Sequence, residues 1–180
     1  AMDRDISVLS SLVDDVFLLA RLEEGSIEVE SGTVDITELA DEAIEVLGPI
    51  AAGANVHLEL DADHRTIATG GSEALSRVLR NLLDNAIRFA PEGSTVVIEV
   101  RDDRGAKVRV LDEGPGFDPQ FVDDAFDRFT RDDPARGRTT GGSGLGLAIA
   151  RGFIEALDGT IWAEPGPGGK VSFHLPAARA

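Results

Sequence analysis

The chain of 180 residues has 33 acidic and 17 basic residues, for a formal net charge of -16, and a field of that sign repels nucleic acid and anionic lipid as general partners. It contains no cysteine, which excludes disulfides, thiolate metal sites and a cysteine nucleophile. The hydrophobic fraction of 42% is sufficient for one folded core, while no apolar run approaches the roughly 20 residues of a membrane helix.

The first predicted element is an amphipathic helix over Asp5–Glu24, with Gly25 as its stop. Its apolar residues recur at helical spacing and form one stripe: Ile6, Leu9, Leu12, Val13, Val16, Leu19 and Ala20. A helix in isolation has nothing against which to bury this stripe. Two arrangements stay open: the helix is half of a hairpin or bundle with another helix, or it folds back onto the core of its own domain.

Three further helices are predicted. The first begins at Asp35, which stands three residues before a glutamate as in a capping box, and is predicted to end at Gly48-Pro49. The second runs over Ser72–Phe89 and the third over Leu145–Leu157. Each carries an apolar face that predicts packing on a common core.

Short apolar and β-branched runs predict six strands. They lie at 57–60, 66–69, 95–101, 107–112, 160–164 and 170–175. Gly-containing turns at 102–105 and 166–169 predict two hairpins. This order of elements predicts an α+β fold, a two-layer sandwich in which helices pack on a mixed, mostly antiparallel sheet, preceded by one amphipathic helix.

Residues 113–142 contain no predicted element and are rich in Gly, Pro, Asp and Arg. A loop of that length inside a compact domain is usually functional, often a lid. Four arginines crowd into this region: Arg128, Arg131, Arg136 and Arg138. This concentration of positive charge permits a polyanionic ligand despite the negative charge of the whole chain.

Polar side chains on the helix 72–89 form the first candidate site. Asn81, Asn85 and Arg88 stand at i, i+4 and i+7 and therefore share one face, turned away from the apolar one. Amide oxygens suit magnesium, which keeps several waters and shares phosphate oxygens. Taken alone, the pattern is more typical of a solvated polar face.

Two glycine-rich segments form the second and third candidates. In residues 112–116, Asp-Glu-Gly-Pro-Gly, a carboxylate ends a strand beside a backbone that can be approached closely, and it can accept a hydrogen bond from an amine such as that of adenine. Residues 141–146, Gly-Gly-Ser-Gly-Leu-Gly, lead into a helix whose N-terminal N–H groups can hold phosphate. They match neither a P-loop nor the dinucleotide fingerprint. Each segment alone is weak evidence.

In this order, and with the long loop between them, the segments resemble the motifs of the ATPase superfamily that joins gyrase, heat-shock chaperones, histidine kinases and mismatch-repair proteins. Residues 81–89 resemble the asparagine box, 112–116 the first glycine box and 142–147 the second. Residues 126–129, Phe-Asp-Arg-Phe, resemble the phenylalanine box of histidine kinases. The resemblance spans essentially the whole chain and implies a Bergerat-type ATP-binding fold.

Position 81 distinguishes the branches of that superfamily. In the superfamily that this chain resembles, the ATP-hydrolysing members and the anti-sigma-factor serine kinases have a glutamate one turn before the magnesium asparagine. This chain has Asn81 at that position. Without that general base, transfer to an acceptor that is already nucleophilic, such as neutral histidine, is favoured. The resemblance therefore implies a sensor histidine kinase of a bacterial two-component system. Two alternatives stay open: an anti-sigma-factor-type serine kinase, and a non-catalytic nucleotide-sensing module.

Residues 18–25 resemble the end of the second helix of the dimerisation and phosphotransfer hairpin. The implied domains are 1–26, a remnant of that helix and its linker, and 27–177, the ATP-binding catalytic domain, with a lid at 113–143. None of the three histidines is followed by an acidic residue, so the phosphate acceptor is expected on a dimerisation domain absent from this chain. The fragment is then expected to be monomeric and unable to phosphorylate itself.

For the full-length protein, the resemblance implies a homodimer that passes phosphate to a response regulator. It also implies a cytoplasmic catalytic domain in a protein anchored in the inner or plasma membrane.

Family roles can be carried over by position. Asp112 would bond the adenine amine, with Gly114 and Gly116 nearby. Asn85 would hold magnesium, with Asn81 in support. The cofactors so implied are ATP and magnesium.

The phosphate end would be bound by groups from three segments. Arg88 would contact phosphate directly, whereas Phe89, where many members have tyrosine, lacks a hydroxyl for this purpose. From the lid, Arg131 would approach the γ-phosphate, and Arg136 is a weaker candidate for the same role. The second glycine box would donate N–H groups to phosphate and let the lid close, through Gly142, Ser143, Gly144, Leu145 and Gly146. Phe126 and Phe129 would anchor the lid to the core.

Overall fold

The computed structural model describes residues 2–120, 122–128 and 144–178. The helices in this part of the chain are α1 (Met2–Glu23), α2 (Ile36–Gly53), α3 (Ser72–Phe89), the 3-10 turn η1 (Asp123–Phe126) and α4 (Gly146–Ala156). The strands are β1 (Gly32–Asp35), β2 (His57–Ala62), β3 (Ile67–Gly70), β4 (Thr95–Asp102), β5 (Gly105–Leu111), β6 (Thr160–Ala163) and β7 (Lys170–Pro176). None of these helices is long and apolar enough to cross a membrane.

Five strands form the main sheet in the order β2-β4-β5-β7-β6, in which β2 and β4 are parallel and all other neighbours are antiparallel. The inward residues of the central strands are fully buried, among them Val96, Ile98, Val108 and Phe173. Helix α3 contacts both α2 and α4, and all three helices bury their apolar faces in the same core. This arrangement confirms the predicted α+β sandwich with a mixed, mostly antiparallel sheet.

Most predicted elements are present with bounds that differ by one or two residues, and α3 begins and ends as predicted. The predicted end of the preceding helix at Gly48-Pro49 is wrong, because α2 continues to Gly53 with the proline inside it. A proline interrupts helical hydrogen bonding locally. Leu47 and Ala51, one turn apart, are both buried on the same face, so packing outweighs that local cost.

The sequence did not predict strand β1, which pairs antiparallel with β3 in a separate two-stranded sheet. Its four residues, Gly-Thr-Val-Asp, lack a clear apolar alternation, and two of them are exposed. The strand depends on its partner 35 positions along the chain in the register Gly32 with Gly70 and Asp35 with Ile67. Asp35 also caps α2 as predicted, accepting a hydrogen bond from the Glu38 N–H at 3.1 Å.

Helix α1 has two different faces. One folds back on the domain and contacts α4, where Leu19 is buried and a Cβ on Gly152 would lie 3.1 Å from Leu22 Cδ1. An ion pair of 2.7 Å between Asp15 Oδ1 and Arg77 Nη2 joins it to α3. The other face leaves large apolar side chains exposed: Leu9, Val13, Val16 and Phe17. The fold-back arrangement is therefore present, and an apolar stripe stays open beside it.

Candidate functional site

Helix α3 presents the first group of predicted site residues. Its apolar face, including Leu75, Leu79 and Leu82, is almost completely buried. Asn81, Asn85 and Arg88 are partly exposed on the other side, as the helical spacing predicted. The Asn81 side-chain Nδ2 donates a hydrogen bond of 3.1 Å to the Gly146 carbonyl oxygen, which joins α3 to the start of α4.

Asp112 lies directly after β5 and is fixed by backbone hydrogen bonds. Its Oδ1 accepts from the N–H of Gly114 at 2.7 Å and from that of Gly169 at 3.1 Å, and its own N–H donates to the Gly169 carbonyl at 2.9 Å. In the part of the chain that the structure describes, Oδ2 accepts no hydrogen bond. Burial raises the pKa of the Asp112 carboxyl group, and the two backbone hydrogen bonds oppose that shift. One carboxylate oxygen thus holds the loop, while the other is left for a donor.

Residues 112–117 and the turn 166–169 together form what we call the Asp112 clasp. The Gly168 N–H donates to the Gly114 carbonyl at 3.1 Å, and the Gly166 N–H donates to the Phe117 carbonyl at 3.0 Å. Gly116 has a φ of 75°, in the left-handed region, and a Cβ there would overlap the Gly166 carbonyl oxygen. The clasp therefore requires glycine at this position for two independent reasons.

Sequence reasoning missed the role of Gly169, which binds Asp112 through both its N–H and its carbonyl. For the turn 166–169, the sequence pattern predicts only a hairpin connection. A Cβ on Gly169 would overlap the Asp112 carboxylate. The one available signal was the second glycine of the pair at 168–169, since a simple hairpin turn does not need both.

The C-terminal end of α3 meets the clasp. A Cβ on Gly114 would lie 2.6 Å from the Phe89 carbonyl oxygen, so only glycine permits this approach. Since Asn81 touches Gly146 and Phe89 approaches Gly114, the helix connects the two glycine motifs. At 1.5 Å per residue, these points are separated by about 12 Å along the helix axis. The three motifs lie along one helix.

The start of α4 provides the predicted phosphate end. The helix begins at Gly146, after the buried Leu145 and after Gly144, whose φ is 70°. The N–H groups of a first helical turn have no partner within the helix, and among the described residues no side chain caps this one. Such an N-terminus favours an anion.

Two further side chains of α3, Asn85 and Arg88, lie on the same face between Asn81 and Phe89, with Arg88 next to the clasp end. Arg88 Nη2 forms an exposed i,i+4 ion pair of 2.6 Å with Asp84 Oδ2. Asn85 makes no side-chain hydrogen bond to another described residue. An exposed pair of this kind is worth little, so Arg88 can exchange Asp84 for a phosphate.

Several predicted site residues lie outside the described residues: Arg131, Arg136, Gly142 and Ser143, together with Phe129 and Arg138. Phe126 is only 5% exposed and packs in the core, as its predicted anchoring role requires. Arg128 forms an ion pair with Glu23 of α1. The described residues contain no cluster of three or more histidine, aspartate or glutamate side chains that would hold a metal ion by themselves.

Comparisons with known proteins show the family of the chain. The family profile described as "Histidine kinase-, DNA gyrase B-, and HSP90-like ATPase" matches residues 70–179. The sensor-like histidine kinase SenX3 of Mycobacterium tuberculosis is 38% identical over 173 residues, which are 94% of this chain and 42% of that protein. The chain thus spans less than half the length of this curated relative.

Solved structures show the same fold. The mycobacterial sensor histidine kinase MprB is 31% identical, with a TM-score of 0.72 over 82% of this chain and 99% of that one. Full-length ShkA, solved in complex with AMPPNP, is 29% identical, with a TM-score of 0.82 over 96% of this chain and 36% of that one. The structure of AdeS of Acinetobacter baumannii is 25% identical, with a TM-score of 0.81 over 98% of this chain and 82% of that one.

Proposed function

Because this chain belongs to the family of histidine kinase-, DNA gyrase B- and HSP90-like ATPases, we propose that it binds ATP with magnesium and transfers the γ-phosphate to a histidine. The observation that carries the proposal is Asp112, whose Oδ1 is held by two backbone N–H groups while Oδ2 stays available. A carboxylate so oriented accepts from the exocyclic amine of adenine. ShkA, a relative of similar fold, was solved with AMPPNP, an adenine nucleotide analogue.

The phosphates are proposed to lie toward the start of α4, about 12 Å along α3 from the clasp. The N–H groups of the first turn of α4 are proposed to bind the negative charge, and the guanidinium of Arg88, which lies nearer the clasp on α3, would extend toward the phosphates. Arg131, Arg136, Gly142 and Ser143 belong to the same proposal through their places in the motifs. Arg131 is proposed to stabilise the negative charge that develops on the transferred phosphoryl group.

Magnesium fits the residues that the structure describes. Asn85 offers an amide oxygen that has no hydrogen-bond partner among the described residues, and a hard cation that keeps several waters needs few protein ligands. Bound there, magnesium would neutralise phosphate charge. Asn81 holds the Gly146 carbonyl and so keeps α4 against α3, which is a positioning role.

The proposed chemistry is in-line phosphoryl transfer. The lone pair of a neutral imidazole nitrogen forms the new P–N bond, and the bond from the γ-phosphorus to the bridging oxygen breaks, so that ADP leaves with the electron pair. The acceptor needs no general base because its nitrogen is already unprotonated near neutral pH. This agrees with an amide, rather than a carboxylate, at Asn81.

For the whole protein, the proposal includes a dimerisation domain that carries the histidine and a response regulator that receives the phosphate. Residues 1–26 are proposed to be the end of that domain and 27–177 the catalytic domain, with its lid at 113–143. A cytoplasmic catalytic domain in a membrane-anchored sensor is part of the same proposal. The exposed apolar stripe of α1 supports the proposed dimerisation domain, because such a stripe suits a partner helix.

A transfer assay tests the reaction. The chain is incubated with ATP and a separately purified helical hairpin that carries the acceptor histidine. We expect phosphate on the hairpin that is lost in acid and kept in base, and none on a hairpin with histidine replaced by glutamine. Acid-stable phosphate would instead indicate a serine kinase. ATP binding without any transfer would favour the nucleotide-sensing alternative.

A further inference from the structure

A second surface of the chain carries a set of groups that the nucleotide site does not use. It lies on the face of the main sheet opposite the helices, where alternate residues of β5, β7 and β6 project. In the register, Lys107 stands opposite His174, and His174 stands opposite Thr160. The intervening residues Val108 and Phe173 are fully buried on the helical side. These three polar residues therefore form one row on the outer face.

A groove of about 500 Å³ opens at the end of this row, beside the β4–β5 turn. It is lined by Asp103, Arg104, Lys107, Thr160, Trp162 and His174. The Lys107 ammonium lies 5.7 Å from the centre of the Trp162 ring, within the range of a cation–π interaction. None of the six belongs to the Asp112 clasp, to α3 or to α4. We call this the outer groove.

The charge of the outer groove differs from that of the rest of the face. Nearby Arg101 and Arg109 are each paired with two carboxylates, at 2.6 and 3.6 Å and at 2.8 and 3.7 Å. Within the described residues, neither Lys107 nor Arg104 forms an ion pair. Two unneutralised cations thus line a groove with one carboxylate, Asp103, on a chain whose net charge is -16. A local excess of this sign attracts a small anion.

The groove also offers directed hydrogen-bonding groups. His174 Nε2 lies 3.0 Å from the Asp103 carbonyl oxygen. Since a carbonyl only accepts, Nε2 carries the proton, and Nδ1 of a neutral ring is then an acceptor. The Thr160 hydroxyl stands on the neighbouring strand. With a half-buried indole ring beside them, these groups match a ligand that has both a flat apolar part and a polar acidic part.

We propose that the outer groove binds a small planar aromatic anion. Its ring packs against Trp162, and its carboxylate or phosphate is bound by Lys107 and Arg104. The cation–π contact already holds the Lys107 ammonium over the ring, so the two groups are placed together before a ligand arrives. The proposal does not depend on the nucleotide site, because no residue is shared.

The chain offers an unusually direct readout, since Trp162 is its only tryptophan and it has no tyrosine. Intrinsic indole emission therefore reports this groove alone. The probes are benzoate and phenyl phosphate, compared with neutral benzyl alcohol and with the non-aromatic anions acetate and inorganic phosphate. Calorimetry measures the same affinities without optical interference from the probes.

We expect benzoate or phenyl phosphate to shift the emission and to bind at least about tenfold more tightly than benzyl alcohol or the matching non-aromatic anion. The preferred aromatic probe identifies the head group as carboxylate or phosphate. Lys107→Gln should weaken binding about tenfold, whereas Lys107→Arg should restore most of it. Arg101→Gln, on the same face but paired with carboxylates, is the matched control and should change affinity less than about twofold.

Fold integrity of each variant is checked by its thermal unfolding and by its circular dichroism. The proposal is overturned if neither aromatic anion binds, or if benzyl alcohol or the non-aromatic anions bind equally well. It is overturned as well if folded Lys107→Gln binds the aromatic anions as tightly as the unchanged chain. Calorimetry of Trp162→Leu completes the test, because undiminished binding would place the anions elsewhere.

Discussion

The two ends of the proposed nucleotide site are constructed differently. At the Asp112 clasp, four hydrogen bonds join residues 112–117 to the turn 166–169, and a fifth lies within residues 112–117. Four glycines there allow contacts that a Cβ would block: Gly114, Gly116, Gly168 and Gly169. The groups proposed for phosphate and metal lie along α3, where, within the described residues, Arg88 is paired with the exposed Asp84 and Asn85 has no side-chain partner. One end is fixed by the backbone, and the other consists of side chains whose partners can be exchanged.

Recognition of the base and binding of the phosphates can therefore be divided between the two ends of one helix. A preformed acceptor loses little entropy on binding, so the clasp suits recognition of the base. In the proposed reaction, the side chains that bind phosphate and metal must rearrange as the triphosphate, the metal and the acceptor come together, which weak exposed pairing permits. Mutations at the clasp should therefore alter folding and base selection, and mutations at the phosphate end should alter metal and phosphate dependence.

The largest effect is expected for Gly116→Ala. The methyl group would overlap the Gly166 carbonyl oxygen and would force alanine into a left-handed conformation, together costing about 3 kcal/mol of unfolding free energy. Denaturant unfolding measures it. Gly48→Ala is the control, because Gly48 lies in α2 with nothing within 4 Å of its Cβ position, and the change should be neutral or stabilising. Similar losses of unfolding free energy in both variants would show that the loss does not come from the contacts of the clasp.

Asp112→Asn should retain the fold and lose nucleotide affinity. The amide keeps an oxygen for the Gly114 and Gly169 N–H groups, but it places an amine where the ligand's amine must donate. A charge-assisted hydrogen bond is worth about 1.5–3 kcal/mol, so we expect a loss of about ten- to hundredfold in affinity for an ATP analogue, measured by calorimetry. Asp118→Asn, outside the clasp, is the control, and an equal loss of affinity in that variant would contradict a specific role for the Asp112 carboxylate.

Asn85→Ala tests the other end. We expect the variant to bind an ATP analogue in EDTA as the unchanged chain does, and to lose most of the increase in affinity that magnesium provides. The reason is that the amide oxygen is the proposed protein ligand of the metal. Titrations with and without magnesium measure the difference. A magnesium effect of unchanged size in a folded variant would remove Asn85 from the metal site.

Asp84→Asn should have a small effect of the opposite sign. Removal of the carboxylate frees Arg88 for phosphate, so affinity for an ATP analogue should rise about two- to threefold while the free energy of unfolding falls by no more than about 0.5 kcal/mol. Affinity for adenosine, which has no phosphate, should not change. A rise for adenosine as well would mean that the variant acts on the clasp.

The smallest predicted effect is a pH dependence of stability at the clasp. Burial raises the pKa of Asp112, so between its ordinary value and the raised one the folded chain binds more protons than the unfolded chain. This group's contribution to unfolding free energy therefore falls as pH rises through that window. The difference in stability between Asp112→Asn and the unchanged chain should grow in favour of the variant over the same window. Unfolding at a series of acidic pH values measures it, and a difference that is independent of pH would contradict the shift.

Sequence reasoning performs best where the determinants are local. The amphipathic pattern of α3, the cap at Asp35 and the position of Asp112 at a strand end were all predicted, and the structure confirms them. What it missed depends on contacts between distant segments. The continuation of α2 through Pro49 follows from the burial of Ala51, and strand β1 follows from pairing with β3.

The same distinction applies inside the candidate site. The polar face of α3 follows from its helical period, whereas the contact of Gly169 with Asp112 joins residues 57 positions apart. The second glycine of the turn signals a close approach to its backbone, but it does not show that the approaching group is the carboxylate of Asp112. The pairing of Arg88 with Asp84 is local and was open to prediction, since the two are one turn apart.

The most direct test of the central claim is a calorimetric titration of the chain with non-hydrolysable ATP and GTP analogues, each with magnesium. Adenine presents an amine where guanine presents a carbonyl oxygen, so only the first can donate to the Asp112 carboxylate at that position. We predict that the ATP analogue binds at least about tenfold more tightly, and that Asp112→Asn removes this preference. Equal binding of the two analogues, or a preference that survives Asp112→Asn in a folded protein, would contradict the assignment of the clasp to the base.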